Sequence, residues 1–234
     1  MNQDKFLEEL KKINIELTEE QLTQLDKYYE LLIEYNKVMN LTGITEKEAV
    51  YLKHFYDSAT LSIIVDLSKE KTLCDVGTGA GFPGIVLKIL FPNLEITLVD
   101  SLNKRLKFLE IVIEKLGLKD IYTVHARAEE YALKHREEYD IVTARAVASL
   151  PILIEYCVPL VKVGKYFIPM KANINEELNI SENAINLFKI KNLEKKEFLL
   201  PIENSKRTLI KFQKQEKTSN KYPRKFNDIK KNSL

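Results

Sequence analysis

Apolar residues recur at helical spacing along the first third of the chain, then in short runs separated by glycine and proline. After the capping-box pattern Thr18-Glu19-Glu20-Gln21, Leu22, Leu25, Tyr28, Tyr29, Leu32 and Ile33 hold one helical stripe to about Val38. Asn40-Leu41-Thr42-Gly43 interrupts it, and another helix is predicted from Glu46 to about Tyr56. From residue 71 strands and helices alternate. Strands are predicted at Thr72–Val76, Glu95–Asp100, Ile121–His125, Tyr139–Ala144 and Lys165–Met170. Helices between them are predicted at Ile85–Phe91, stopped by Pro92, at Leu102–Leu116, ended by Gly117, and at Ala128–His135. A fourth starts at Pro151, a residue suited to a first helical turn, and reaches about Leu160. Such alternation argues a parallel sheet with helices on both faces. A helix at Glu176–Phe188 and two strands, Lys195–Pro201 and Arg207–Phe212, close the pattern, with one antiparallel member expected in the last pair. The chain therefore divides into a helical extension (1–70), an α/β domain (71–213) and a C-terminal tail (214–234).

Glycine is scarce and clustered. Four of the seven glycines fall in Cys74-Asp75-Val76-Gly77-Thr78-Gly79-Ala80-Gly81-Phe82-Pro83-Gly84, between a predicted strand and a predicted helix. A loop so placed lets a ligand lie against backbone, and the helix start behind it offers free N–H groups. Gly79 to Gly84 match the dinucleotide fingerprint G-x-G-x-x-G. Two features argue against that reading. It would leave Asp75 and Gly77 inside the strand, where both are poor choices. A strand-end carboxylate at Asp75 also suits a positively charged ligand better than a pyrophosphate. S-adenosylmethionine presents an ammonium and a sulfonium and fits that requirement. Asp100 ends the next strand and can accept hydrogen bonds from ribose hydroxyls, as in either nucleoside-binding class. Glu129 follows the third strand, where an adenine would lie, although a solvated first-turn acid explains it equally well. Arg145 ends the fourth strand, and Lys171 follows the fifth.

The charge total of +2 (36 Lys and Arg, 34 Asp and Glu) does not announce a nucleic-acid partner. Its distribution changes that view. Residues 1–205 carry −6 and residues 206–234 carry +8, with eight lysines, two arginines and two acids. The basic end reads as an RNA-contacting or disordered segment from Lys214 onward. Two cysteines, Cys74 and Cys157, allow no disulfide framework and read as buried small hydrophobes, and with three scattered histidines no metal site is expected. No secretory signal and no apolar run of membrane length is present in the pattern, so a cytoplasmic protein is expected. His54 and Asp57 share a helix face; a packing pair joining extension to sheet is the favoured reading, a wall of a substrate cleft the sharper one. Tyr28, Tyr29 and Tyr35 read as packing residues.

These residues, in this order and spacing, resemble the RsmG (GidB) family of bacterial 16S rRNA guanine-N7 methyltransferases. The resemblance rests on Asn40-Leu41-Thr42, His54-Phe55-Tyr56-Asp57-Ser58, the loop from Asp75 to Gly84, Asp100-Ser101 with Lys104-Arg105 and Phe108-Leu109, Arg145-Ala146 with Ala148-Ser149-Leu150, and Tyr222-Pro223-Arg224. It spans residues 6–224. It implies a class I S-adenosylmethionine-dependent methyltransferase fold, a mostly parallel seven-stranded sheet with one antiparallel strand, carrying an N-terminal helical extension. It implies S-adenosyl-L-methionine as cofactor and 16S rRNA or the 30S subunit as partner; a monomer is expected. It also implies that Gly77 and Phe82 contact the cofactor, that Ala128 and Glu129 lie by its adenosine, and that Arg145 lies on the cofactor or substrate side. Asp75, Gly79, Gly81 and Asp100 complete the expected cofactor set, and Arg145 and Lys171 are the expected orienting cations. After Arg224 the chain departs from the family pattern of Gly, Pro and basic residues and reads Lys225-Phe226-Asn227-Asp228-Ile229-Lys230-Lys231.

Guanine N7 has a lone pair and no proton at neutral pH, so direct attack on a sulfonium methyl needs no general base. Catalysis would then be mainly proximity and alignment. The lack of an acidic or Asn-Pro-Pro-Tyr-type motif after the fourth strand argues against exocyclic amines. The alternatives are a methyltransferase for a small molecule or protein, and a dinucleotide-binding oxidoreductase.

Overall fold

The Thr18 capping box forms as its sequence predicts. The Gln21 amide donates to Thr18 Oγ1 at 3.2 Å, and the Thr18 amide donates to Gln21 Oε1 at 2.9 Å. A computed structural model describes residues 1–234. In it, α1 (Gln3–Lys12) and α2 (Glu19–Met39) precede a continuous helical path that changes pitch. That path begins as α3 (Lys47–Val50) and widens to a π-helical stretch, Tyr51–Tyr56. It returns through α4 (Asp57–Ala59) to a 3-10 turn, Thr60–Ile63. Periodicity alone could not show this change, because the apolar stripe continues through it.

The strands are β1 (Thr72–Val76), β2 (Glu95–Asp100), β3 (Ile121–His125), β4 (Tyr139–Arg145), β5 (Val161–Lys171), β6 (Ile190–Leu199) and β7 (Lys206–Lys214). They form one seven-stranded sheet in the order β3-β2-β1-β4-β5-β7-β6. β1 to β5 are mutually parallel, and β7 runs antiparallel to both β5 and β6. This is the expected class I arrangement with a single reversed strand. Intervening helices are α5 (Gly84–Leu90), α6 (Asn103–Leu116), α7 (Ala128–Lys134), α8 (Leu150–Cys157), α9 (Asn175–Ile180), α10 (Glu182–Leu187) and, after β7, α11 (Phe226–Lys231).

Side-chain alternation along the strands divides the core in two. Leu73, Ile96, Leu98, Ile141 and Ile168 face a cluster that includes Phe6, Leu25, Tyr28, Phe55 and Phe108. Cys74, Val99, Val142, Phe167 and Phe212 face the other cluster, with Leu153, Cys157 and Phe188. The extension thus shares one core with the sheet. Polar side chains of α2 reinforce the join, since Gln21 caps the Ile89 carbonyl (2.7 Å) and Gln24 caps that of Leu116 (2.9 Å). No helix is long and apolar enough to cross a membrane.

Several boundaries differ from the sequence reading; β5, for one, starts at Val161 and not at Lys165. The helix predicted at Glu176–Phe188 is two helices, broken at Ser181, whose hydroxyl donates back to the Glu177 carbonyl at 2.5 Å. β6 starts at Ile190, five residues before the predicted start at Lys195, because its first residues pair with Gln213 and Lys214 at the end of β7. The chain after β7, expected to be disordered or to reach for RNA, is folded against the domain. Arg136 donates to the Thr218 (2.6 Å) and Tyr222 (2.8 Å) carbonyls, and the Arg224 side chain forks onto the buried Glu155. The composition of the segment shows its charge but not these long-range partners.

Candidate active site

In an open parallel sheet, ligands sit beyond the carboxyl ends of the strands where the strand order reverses. Here that point lies between β1 and β4, and a cavity of about 440 Å³ opens there. Val76, Val99, Asp100, Ala126 and Ala146 bring the ends of β1 to β4 to its wall, and Gly77, Glu129 and Tyr156 help complete it. Gly77 has φ +71°, and a Cβ there would come within 2.5 Å of Val147 in the loop after β4. The loop can close over Gly77 only because no side chain stands there.

The acids divide their work. Asp100 lines the cavity while fixing its edge: Oδ2 accepts from the Gly79 amide (2.9 Å) and Oδ1 from the Leu102 amide (2.8 Å). Glu129, on the first turn of α7, is buried against the same cavity, and burial pushes its carboxyl upward. Asp75 lies beneath the loop instead. Its Oδ2 accepts from the Thr78 hydroxyl (2.7 Å) and the Gly84 amide (2.9 Å), while its buried Oδ1 has no partner. Of the expected cofactor residues, Gly77, Asp100, Ala128 and Glu129 line the cavity. Asp75, Gly79, Gly81, Phe82 and Arg145 do not. Gly81 and Phe82 pack inward, with the Phe82 ring 5.4 Å from that of Tyr28.

Arg145 belongs to a second cavity of about 420 Å³, which shares Ala146 with the first. Its guanidinium donates to the Lys53 carbonyl (3.0 Å), to Asp57 Oδ2 (3.1 Å) and to His54 Nδ1 (3.2 Å), above the Phe82 ring. Arg207 takes the other Asp57 oxygen at 2.9 Å. A guanidinium only donates, so His54 Nδ1 accepts and Nε2 carries the proton, donating to Thr42 Oγ1 at 2.9 Å. Asn36 holds the Thr42 loop by accepting from the Leu41 and Thr42 amides. The π-helical turn therefore delivers His54 and the Lys53 carbonyl to one arginine, a use of wide turns at functional sites. Lys171 also lines this cavity, with its ammonium engaged by the Ala148 carbonyl (2.7 Å) and Glu177 (2.8 Å). Thr208 lies there too, with a buried hydroxyl that has no partner.

The packing-pair reading of His54 and Asp57 was incomplete: the pair joins extension to sheet and lines this cavity as well. Their i, i+3 spacing was the available signal. Arg207, Thr208, Phe226 and Lys230 had none, because their places depend on the crossing of β7 and the return of the tail.

Burial, then the Arg145 cation, pushes His54 down to about 3. Burial pushes Asp75 up to about 6 against its hydrogen bonds. The signs oppose. Below the unfolded His value near 6.5, the unfolded chain binds the extra proton, so His54 makes stability fall as pH falls. Between roughly 4 and 6 the folded chain holds the extra proton at Asp75, so Asp75 makes stability rise as pH falls. Relative to the parent, Asp75→Asn should steepen acid destabilisation over pH 6 to 4, and His54→Asn should flatten or reverse it. Each change should approach about 1 kcal/mol per pH unit, read as urea midpoints across that range. Parallel profiles for the parent and both variants would show that neither group titrates as its burial requires.

A family model for rRNA small subunit methyltransferase G (GidB) matches residues 21–209. The ribosomal RNA small subunit methyltransferase G of Lysinibacillus sphaericus is 53% identical over 228 residues, 96% of each chain. Its counterpart from Listeria welshimeri is 49% identical over the same shares. Among solved structures, the YcgJ protein of Bacillus subtilis aligns with TM-score 0.56 at 12% identity, covering 70% of this chain and 100% of that one. A SAM-dependent O-methyltransferase from Thermotoga maritima gives 0.53 at 13% identity, covering 80% and 73%. The structural likenesses speak for the fold, and the sequence matches carry the family across the glycine loop and both cavities. The chain belongs to the GidB family of rRNA small subunit methyltransferases.

Proposed function

We propose that this protein transfers a methyl group from S-adenosylmethionine to N7 of a guanine in small-subunit rRNA, with the first cavity holding the cofactor and the second the target nucleotide. The first cavity fits the cofactor chemically. Ala126, Ala128, Val99 and Ile152 supply an apolar slot, and Asp100 and Glu129 supply acceptors for hydroxyl groups. Gly77 leaves backbone open to a close approach. The bound cofactor would supply an electrophilic methyl on a sulfonium.

The observation that carries the N7 assignment is that the second cavity contains no free base. Its imidazole, on His54, is neutral, with its lone pair occupied by Arg145. Both oxygens of its carboxylate, on Asp57, are taken by arginines. A hydroxyl or a protonated ring nitrogen would need a group to remove its proton. N7 needs none. Lys53, Arg145, Lys171 and Arg207 line that cavity with Asp57, and with Glu177 paired to Lys171 and Glu203 to Lys53 one positive charge is left over, a balance suited to a phosphodiester.

The test offers labelled S-adenosylmethionine with 30S subunits, naked 16S rRNA and unrelated RNA, followed by borohydride and aniline treatment, which cleaves RNA at N7-methylguanine. Label in small-subunit rRNA with a single induced break is expected. Label that gives no break would reject N7, and label in protein or small molecules would reject the RNA.

A further inference from the structure

We propose that Phe226 on the C-terminal helix α11 is a cofactor-binding residue, and that the tail is a strap that closes one wall of the cofactor cavity. The proposal rests on the reading that the first cavity takes S-adenosylmethionine. Phe226 and Lys230 line that cavity although they lie some 70 residues or more beyond its other walls in sequence. The Arg127 guanidinium sits 4.4 Å from the Phe226 ring centroid, and Arg127 lines the cavity as well. The ring and guanidinium stand among Ala126, Ala128, Ile152 and Tyr156. An aromatic ring in an apolar slot is a stacking face for a purine.

A six-residue helix does not hold a position by itself. Three tethers hold this one. Arg224 makes a fork to Glu155, Nε to Oε1 at 2.9 Å and Nη2 to Oε2 at 2.7 Å, and its amide donates to Oε1 at 2.8 Å. Glu155 is fully buried in α8, so loss of Arg224 would leave a carboxylate unpaired inside the domain. Ile229 is fully buried against the core cluster of α8. Arg136 gathers the carbonyls of Thr218, Ser219 and Tyr222 ahead of the helix. Lysine-rich composition explains none of these contacts. Composition suggested an RNA arm; the placement assigns the segment to the cofactor.

The experiment titrates S-adenosylhomocysteine into the full chain by calorimetry without RNA. Phe226→Ala should weaken binding roughly ten- to hundredfold, the range for loss of one base-stacking ring. Phe226→Tyr should stay within about threefold of the parent, since it keeps the ring. Lys231→Ala, an exposed position on the same helix, should match the parent. Arg224→Gln, which cuts the latch, should weaken binding in the same direction. Phe226 is only half-buried, and a matching thermal melt for Phe226→Ala excludes general unfolding. Equal affinity for the parent and Phe226→Ala would overturn the proposal while leaving the cofactor assignment standing. A parent that does not bind S-adenosylhomocysteine would overturn that assignment and the proposal with it.

Discussion

Arg145→Ala is expected to slow methyl transfer to 30S subunits by about two to three orders of magnitude, the usual effect of losing a preorganised donor. The side chain is held at three acceptors, the Lys53 carbonyl, Asp57 and His54, and it lies over Phe82. Its position is fixed before substrate arrives, so no ordering is needed at the moment of reaction. Removing it also strands its partners. Asp57 keeps only Arg207, and the His54 Nδ1 lone pair is left without a donor. Arg145→Lys should recover little, because one ammonium cannot reproduce a planar fork on three acceptors. Since Arg145 lines the second cavity and not the first, turnover should fall much further than S-adenosylhomocysteine affinity. Single-turnover methylation and a binding isotherm together decide this. Full turnover with unchanged affinity would remove Arg145 from the mechanism.

The same contacts show which parts of the molecule could be read in sequence and which could not. β1 to β4 and the helices between them were legible because each strand is a short apolar run and the helices carry their own stop signals, such as Pro92 and Gly117. Gly77 and Asp100 were legible because a strand end and a glycine loop fix where a ligand must lie. The second cavity was legible only in part: Arg145, Lys171 and the His54–Asp57 pair stood out, but not their meeting. It depends on Lys53 and His54 from the π-helical turn and Asp57 from the start of α4 meeting Arg145 about 90 residues later and Arg207 about 150 later. Each of those residues has an ordinary local explanation. Only the sheet order, with β7 inserted between β5 and β6, brings them together. The folding of the tail was illegible for a related reason. Charge is visible one residue at a time, but the carboxylate of Glu155 that receives Arg224 is 69 residues away.

The loop glycines offer the sharpest separation between folding and ligand binding. Gly81→Ala is expected to destabilise the protein by roughly 2–5 kcal/mol, from about 1–3 of overpacking and about 1–2 of left-handed backbone strain. Gly81 has φ +100°, and a Cβ there would stand 2.6 Å from Ile85, 2.7 Å from the Tyr28 hydroxyl and 2.9 Å from Leu109. Tyr28 cannot yield easily. Its hydroxyl donates to the Ala80 carbonyl, and its ring packs against those of Phe55 (5.5 Å) and Phe82 (5.4 Å). The neighbouring Gly79 provides the control. Its φ is +61°, but its nearest atom would be 4.0 Å away, so Gly79→Ala carries the strain alone, about 1–2 kcal/mol. Both glycines belong to the same motif, and a ligand-based reading would rank them together. Packing ranks Gly81 well above Gly79 in stability, because Gly81 is the place where the extension's tyrosine meets the loop. Urea unfolding of the two variants measures the gap directly. If Gly81→Ala unfolds no earlier than Gly79→Ala, the extension does not brace the loop as these contacts require.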